Sequence, residues 1–183
     1  PGAIAYLPQQ SEVDRRFPLS VSDIVMMGHW PKIGAFRGVS AQHRETAQQA
    51  LAEVGMEAFA ERPIEALSTG QWRRVLFARL ILQDADVLLL DEPFNAIDGR
   101  TTHDLMHILE RLHGEGRTVI AVMHDLPLVR DHFPHVLMLA RELVAWGPTA
   151  EVLSESNLLR ASRLAGKWTE HAATCEHDTR LSA

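Results

Sequence analysis

Residues 67–71 read Leu-Ser-Thr-Gly-Gln, and residues 87–93 read Val-Leu-Leu-Leu-Asp-Glu-Pro. The first segment opens a stretch of helical periodicity that predicts a helix over residues 70–82, and the second is an apolar strand that ends in two carboxylates. A strand without polar alternation is typical of a parallel sheet that helices cover on both faces. Because ligands bind beyond the carboxyl ends of such strands, the two segments predict an α/β fold with a ligand site at one sheet edge.

The flanking sequence continues this α/β pattern. Residues 3–7 are an apolar run that Pro8 ends, which predicts a first strand. Strands joined by helices favour a mostly parallel sheet, and two short runs further along predict a closing hairpin. The remaining predicted elements are a strand over 87–90, a helix over 101–113, a strand over 119–123, a helix over 126–131, and hairpin strands over 136–140 and 143–146.

A helical subdomain is predicted over about residues 18–82. Ser20 followed by Asp23 is typical of a helix start, because both side chains can satisfy free backbone N–H groups. Gly28 is expected to stop that helix, and Gly55 suits the left-handed cap of the next one. The predicted elements are a helix over 21–27, a loop over 29–38 and a helix over 41–54.

The composition narrows the class of protein. The chain has 183 residues, 24 of them acidic and 18 basic, so it carries no broad positive field for nucleic acid or anionic lipid. Its length allows one core that buries roughly 70% of the unfolded surface. The longest apolar runs are far shorter than the ~20 residues that cross a bilayer. Cys175 is the only cysteine, which favours a reducing compartment such as the cytosol.

The start of the chain predicts that its domain is incomplete. The first residue is Pro1, and a strand signal already begins at Gly2, so we expect the chain to begin inside a domain. No G-x-x-x-x-G-K-[ST] phosphate loop occurs between Pro1 and Ala183. Such a loop binds nucleotide phosphates through a lysine and a cradle of backbone N–H groups. Without this loop, we expect this chain alone not to bind a nucleotide tightly and therefore to be inactive in its hydrolysis.

Asp91 and Glu92 are the first candidate site residues. Asp91 could hold Mg²⁺ directly or through water, and Glu92 could orient and activate a water for attack on a γ-phosphate. The alternative is that Asp91-Glu92-Pro93 only caps a helix after an ordinary strand. The four apolar residues before it favour the site.

A second candidate site lies at the start of the helix that follows Leu67. Ser68, Thr69, Gly70 and Gln71 occupy its first positions, where free N–H groups and the positive end of the helix dipole attract anions. The alternative is that Ser68 is a plain N-cap. The short distance in sequence to Asp91 favours the anion site.

Three further residues are candidates, two of which follow predicted strands. His124 follows the strand 119–123 and could donate to a γ-phosphate, and Gln9 could carry its amide to the metal or the attacking water. Asp98 could contact a second subunit or cap the next helix. The alternatives for His124 and Gln9 are a structural histidine and an ordinary loop glutamine.

Five motifs together resemble a known family, the ABC ATPases. Residues 6–9, 67–71, 87–93, 96–98 and His124 resemble its Q-loop, signature, Walker B, D-loop and switch histidine. The resemblance covers residues 3 to about 153 and implies a P-loop NTPase-like core over 1–166, incomplete at its amino terminus, with a flexible tail over 167–183. Thr69 and Trp72 depart from the family pattern, where a glycine and a polar residue are usual.

The resemblance also implies cofactors and partners. Members of the family pair head to tail, bind ATP with Mg²⁺ and hydrolyse it, and dock on a membrane-embedded permease at the cytoplasmic face. Residues 20–66 would form the docking region, with Met27, Trp30 and Phe36 at the interface or covering the local core. The implied roles are catalysis for Glu92, His124 and Gln9, metal binding for Asp91 and Gln9, and nucleotide contact for Ser68, Thr69, Gly70, Gln71 and Asp98.

The segment 17–28 looks most like the ATPase subunits of manganese, zinc or iron importers. This implies ATP-driven import of a divalent metal, an indirect role for a periplasmic or surface metal-binding protein, and no nucleic-acid partner. The alternatives are a non-enzymatic fragment and an importer ATPase for another cargo, such as chelated iron. DNA-repair and translation ATPases fit poorly, because residues 9–67 are short and lack heptads and the chain shows one ATPase domain.

The tail holds His171, Cys175 and His177 but lacks a fourth metal ligand.

Overall fold

A computed structural model of the chain describes residues 3–9, 13–34 and 38–175, with side chains as far as residue 166. The chain divides into two units, residues 1–124 and 125–183. The single domain expected over residues 1–166 stays a prediction. In the part of the chain that the structure describes, no helix combines the length and apolar character needed to span a bilayer.

Three parallel strands form the sheet of the first unit, in the order β1-β2-β3. Rows of side chains run across it, with Leu89 between Tyr6 and Ile120. The strands are β1 (Ile4–Leu7), β2 (Val87–Asp91) and β3 (Thr118–Val122). The predicted α/β class and parallel pairing are therefore confirmed.

The described residues cover only one face of this sheet. Leu88 and Leu90 lie on the covered face, where α4 (Thr69–Gln83) contacts β1 and α5 (Gly99–Gly114) contacts β3. On the opposite face Tyr6 is 55% and Ile120 is 53% exposed. We expected both faces to be covered, and the described helices supply cover to one. Apolar residues on both faces are typical of a sheet that is buried on both sides.

The helical segment begins where the sequence predicts. Ser20 Oγ accepts a hydrogen bond from Asp23 N at 3.1 Å, and the Asp23 carboxylate accepts one from Ser20 N at 2.9 Å. Gly55 has a φ of +69° and caps the third helix as expected. The elements are α1 (Val21–Met26), a 3₁₀ turn (Met27–His29), α2 (Trp30–Ile33) and α3 (Ala41–Glu53).

The first helix ends at Met26, close to the predicted stop at Gly28, but the chain stays helical through Gly28, and the loop predicted over residues 29–38 begins with a helical turn. Gly28 lies in the 3₁₀ turn that joins α1 to α2. A Cβ at this position would lie 2.6 Å from Arg79 O and 2.8 Å from Leu82 Cβ. The glycine is therefore needed for the close approach of this turn to α4. Gly34, with a φ of +70°, ends α2 instead.

The second unit contains the predicted hairpin. Its two strands pair antiparallel, and Arg141 at the turn between them has a φ of +66°. The final helix continues to Cys175, and the rest of the tail lies outside the described residues, so its flexibility stays a prediction. The elements are α6 (Leu126–His132), β4 (His135–Ala140), β5 (Glu142–Pro148), α7 (Thr149–Val152) and α8 (Glu155–Cys175).

Candidate functional site

Glu92 lies at the centre of a hydrogen-bonded cluster just beyond β2. Its backbone N donates to Val122 O at 3.0 Å, which fixes it at the carboxyl edge of the sheet. Its Oε2 accepts from Gln9 Nε2 at 2.6 Å and from Asn95 Nδ2 at 2.9 Å. His124 Nε2 donates to its Oε1 at 2.5 Å. The structure thus brings together the three predicted catalytic side chains, Gln9, Glu92 and His124.

The surroundings of Glu92 favour its ionised form. The side chain is 16% exposed, whereas that of His124 is 78% exposed. Burial is the largest single influence and raises the pKa of Glu92, but hydrogen bonds from His124, Gln9 and Asn95 outweigh it, so the pKa lies below its ordinary value. A carboxylate that stays ionised at neutral pH can accept a proton.

The backbone around Glu92 adopts a costly conformation. Glu92 has a φ of +44° and Ala96 a φ of +59°, both in the left-handed region that non-glycine residues rarely enter. Each such residue costs of order 1–3 kcal/mol and persists only where the surrounding structure holds it. Here the turn brings Asn95 back toward Glu92, with Asn95 N donating to Glu92 O at 3.2 Å.

Asp91 occupies a different position from its neighbour. It is the last residue of β2, and strand alternation places it on the uncovered face with Leu89. Within residues 3–9, 13–34 and 38–166, no side chain donates a hydrogen bond to its carboxylate. Oxygen ligands of this kind suit the hard cation Mg²⁺.

The start of α4 carries the signature residues. Ser68 Oγ accepts from Gln71 N at 3.2 Å, and Gln71 Oε1 accepts from Ser68 N at 3.0 Å, so the pair forms a capping box. The N-cap alternative for Ser68 is therefore observed. Since Ser68 Oγ accepts in this box, its hydroxyl proton can still be donated to an anion. Thr69 is exposed and Gly70 is partly exposed at the same helix end.

Asp98 caps α5 and lies beside the signature. Its Oδ1 accepts from Thr101 N at 2.9 Å and its Oδ2 from Thr101 Oγ1 at 2.8 Å. These hydrogen bonds, the backbone one first, lower the pKa of Asp98. A Cβ built on Gly70 would lie 3.6 Å from Asp98 Oδ2, which makes the start of α4 and the cap of α5 neighbours.

Two arginines that we did not predict hold these segments together. Arg73 is buried in α4 and donates from Nη2 to Gln9 O at 3.2 Å, which links the signature helix to the Q-loop. Arg15 donates to the carbonyl of Leu67, and its guanidinium lies 5.7 Å from the centre of the Trp72 ring. The available signal for Arg73 was a charged residue that follows Trp72 and lies one helical turn before Leu76 and Phe77. For Asn95 the signal was its spacing of three residues from Glu92.

The docking candidates have different environments. Trp30 is 60% exposed and Met27 is partly buried beside α4, while Phe36 lies outside the described residues. Of the two docking candidates that the structure describes, Trp30 is the more accessible. Among residues with described side chains, no group of three or more His, Cys, Asp and Glu is placed to hold a metal ion together.

Comparisons with known proteins identify relatives. The chain is 39% identical over 158 residues to the zinc transport system ATP-binding protein TroB of Treponema pallidum (strain Nichols), covering 86% of this chain and 59% of that protein. It is 41% identical over 155 residues to the manganese transport system ATP-binding protein MntB of Bacillus subtilis (strain 168), covering 85% and 62%. The chain therefore spans less than two thirds of the length of these relatives.

A solved structure and a family model agree with these relatives. An inward-facing transporter assigned to the metal-chelate ABC type superposes with a TM-score of 0.78 at 29% identity, covering 86% of this chain and 62% of that one. The family model for ABC transporters matches residues 1–95, which is more than half of the 183 residues. The chain belongs to the ABC transporter family.

Proposed function

We propose that this chain is part of an ATP-binding and ATP-hydrolysing subunit that powers ABC-type import of a divalent metal ion, manganese, zinc or iron. The observation that carries the proposal is the cluster of hydrogen bonds by which Gln9, Asn95 and His124 hold the Glu92 carboxylate at the end of β2. Relatives named as zinc and manganese transport proteins support the class of cargo.

Glu92 acts as the general base in this proposal. Its carboxylate accepts the proton of the water that attacks the γ-phosphate. Gln9 and His124 both donate to Glu92. In this proposal the same two donors would turn to the attacking water and to the γ-phosphate when ATP is bound. Asn95, on the strained turn, keeps Glu92 in place while the other two donors move.

Asp91 and Gln9 would hold the Mg²⁺ that accompanies ATP. The Asp91 carboxylate offers oxygen ligands at the strand end, and Gln9 keeps its amide oxygen for a metal because its Nε2 donates to Glu92. Mg²⁺ supplies charge neutralisation of the transferring phosphates. Asp91 and Glu92 therefore take different roles although they are adjacent in sequence.

The start of α4 would serve the ATP held by a paired subunit. Ser68 offers a hydroxyl proton, and Thr69 and Gly70 place N–H groups at the positive end of a helix of 15 residues. Gln71 would hold Ser68 in place for this contact through the capping box. Asp98, beside Gly70, would contact that subunit. The proposed assembly is peripheral at the cytoplasmic face of the membrane, docked on a permease through residues 20–66.

The test is Glu92→Gln in the cell of origin and in the purified transporter. A general base contributes about 10²–10⁴-fold, so we expect ATP turnover to fall by that factor and uptake of radioactive manganese and zinc to fall to background. ATP binding should persist. Glu155→Gln, at an exposed position of α8, is the matched control. An unchanged turnover in Glu92→Gln contradicts the assignment of Glu92, and a wild-type transporter without turnover supports the non-enzymatic alternative.

A second cargo has one observation in its favour. The solved structure at 29% identity is assigned to the metal-chelate type, so chelated iron is the competing substrate. Uptake assays with free Mn²⁺, free Zn²⁺ and a ferric chelate distinguish the two. Loss of chelate uptake alone in Glu92→Gln would support the competing cargo.

A further inference from the structure

Two histidines lie one turn apart on the exposed side of α5. The side chains of His103 and His107 are 67% and 58% exposed. Their Nε2 atoms are 3.1 Å apart, and the rings meet edge-on with centroids 4.2 Å apart. Positions four residues apart on a helix are neighbours, so the helix backbone itself holds these two imidazoles together.

Each imidazole has a carboxylate beside its other nitrogen. His107 Nδ1 lies 3.0 Å from Glu110 Oε2, and His103 Nδ1 lies 4.0 Å from Asp104 Oδ1. An ionised carboxylate only accepts hydrogen bonds, so His107 Nδ1 carries the proton and His107 Nε2 keeps a lone pair. Histidines that bind metals usually donate their other ring N–H to a carboxylate in this way, because it fixes the ring and makes the ligand more basic.

We propose that His103 and His107 chelate a divalent transition-metal ion through their Nε2 atoms, with Zn²⁺ as the probe ion. Bonds of about 2.0–2.1 Å that meet at about 90–110° place two ligand nitrogens roughly 2.8–3.4 Å apart. The observed separation of 3.1 Å lies within this range. Imidazole nitrogen suits zinc, copper and nickel, whereas magnesium and calcium prefer oxygen ligands.

The site provides two protein ligands and leaves the rest to water. This agrees with the finding that the described side chains form no group of three or more metal ligands. In the metal-free pair His103 Nε2 donates to His107 Nε2, so binding requires the His103 proton to move to Nδ1, on the side of Asp104. The proton stays on the ring, and both exposed rings are free to rotate their lone pairs onto one ion.

A bound ion would join two successive turns of α5. Because unfolding separates the two histidines, the ion binds the folded chain better than the unfolded one and raises the melting temperature. This consequence does not depend on nucleotide binding or hydrolysis. The site can therefore be tested apart from the proposed ATPase function.

The test uses the full chain without a histidine tag, titrated with Zn²⁺ by calorimetry and followed by thermal unfolding. We expect His103→Gln and His107→Gln each to remove one Zn²⁺ equivalent and its rise in melting temperature. Glu110→Gln should weaken that equivalent about tenfold, because it removes the carboxylate behind His107. His113→Gln is the matched control: it changes an exposed histidine of the same helix whose Nδ1 lies 3.1 Å from the Arg117 carbonyl oxygen. His113→Gln should leave the number of bound Zn²⁺ ions and the Zn²⁺-dependent rise in melting temperature unchanged.

All variants keep the potential metal ligands of the tail, which are His171, Cys175 and His177. Ring nitrogen NMR therefore identifies which histidines bind the ion. One equivalent of Zn²⁺ should shift the Nε2 signals of both His103 and His107. The proposal is overturned if only one of the two signals moves. It is also overturned if His103→Gln and His107→Gln bind as many Zn²⁺ ions, as tightly, as the wild type.

Discussion

Gln9 and Glu92, which are 83 residues apart in the chain, are joined by a hydrogen bond of 2.6 Å from Gln9 Nε2 to Glu92 Oε2. The bond connects the loop after β1 to the residue after β2. The same Gln9 accepts a hydrogen bond from Arg73 of α4 through its backbone carbonyl. Gln9 therefore contacts both the Glu92 carboxylate and, through Arg73, the signature helix α4.

Gln9→Ala should raise the pKa of Glu92. The substitution removes one of the hydrogen bonds that stabilise the ionised carboxylate, while the burial that raises the pKa remains. Carboxyl carbon NMR over a pH titration of the chain measures this directly and needs no nucleotide. Gln48→Ala, at an exposed helix position, is the control and should leave Glu92 unchanged. If Glu92 has the same pKa in both variants and in the wild type, the hydrogen bond from Gln9 does not stabilise the ionised carboxylate.

The stability of the wild type relative to Glu92→Gln should fall on acidification. A carboxyl whose folded pKa is depressed adds stability above its unfolded pKa, about 4.3, and this stability is lost as the pH falls through the lower folded value. Below that value the protonated Glu92 resembles glutamine. Thermal unfolding of both chains between pH 7 and pH 3 measures the difference in melting temperature, and a difference that stays constant with pH would contradict this linkage.

Local signals in the sequence were enough for most elements and for the residues at the sheet edge. The capping box of Ser20 and Asp23 depends on neighbours three residues apart, so it could be predicted and is observed. The positions of Gln9, Glu92 and His124 follow from strand ends, because parallel strands end at one edge.

Features that depend on distant partners could not be predicted. Gly28 was expected to stop a helix, but its neighbours are Arg79 and Leu82 of α4, which lie far along the chain. The role of Arg73 depends on a backbone carbonyl 64 residues away. The uncovered sheet face is a further example. The apolar run that contains Tyr6 predicts that this face is buried, but it does not show which residues cover it.

Gly28→Ala should destabilise the chain. The new methyl would lie 2.6 Å from a backbone oxygen of α4, and such overpacking costs about 1–3 kcal/mol. Urea unfolding followed by circular dichroism measures the loss. Gly114→Ala is the control, since Gly114 lies in α5 with no atom within 4 Å of its Cβ position, and alanine there should stabilise by up to about 1 kcal/mol. Equal stability of Gly28→Ala and the wild type would mean that the contact with α4 is not tight.

Asp98→Ala should destabilise α5, whereas Asp98→Asn should not. Alanine removes the N-cap that accepts from Thr101 and costs about 0.5–2 kcal/mol, but asparagine still offers a cap oxygen without the charge. Urea unfolding of the two variants separates them, and an Asp98→Ala chain as stable as the wild type would contradict the cap. Asp98→Asn then isolates the proposed contact with a paired subunit. A transporter with Asp98→Asn that folds normally but loses ATP turnover assigns the carboxylate to that contact, because capping alone does not need its charge.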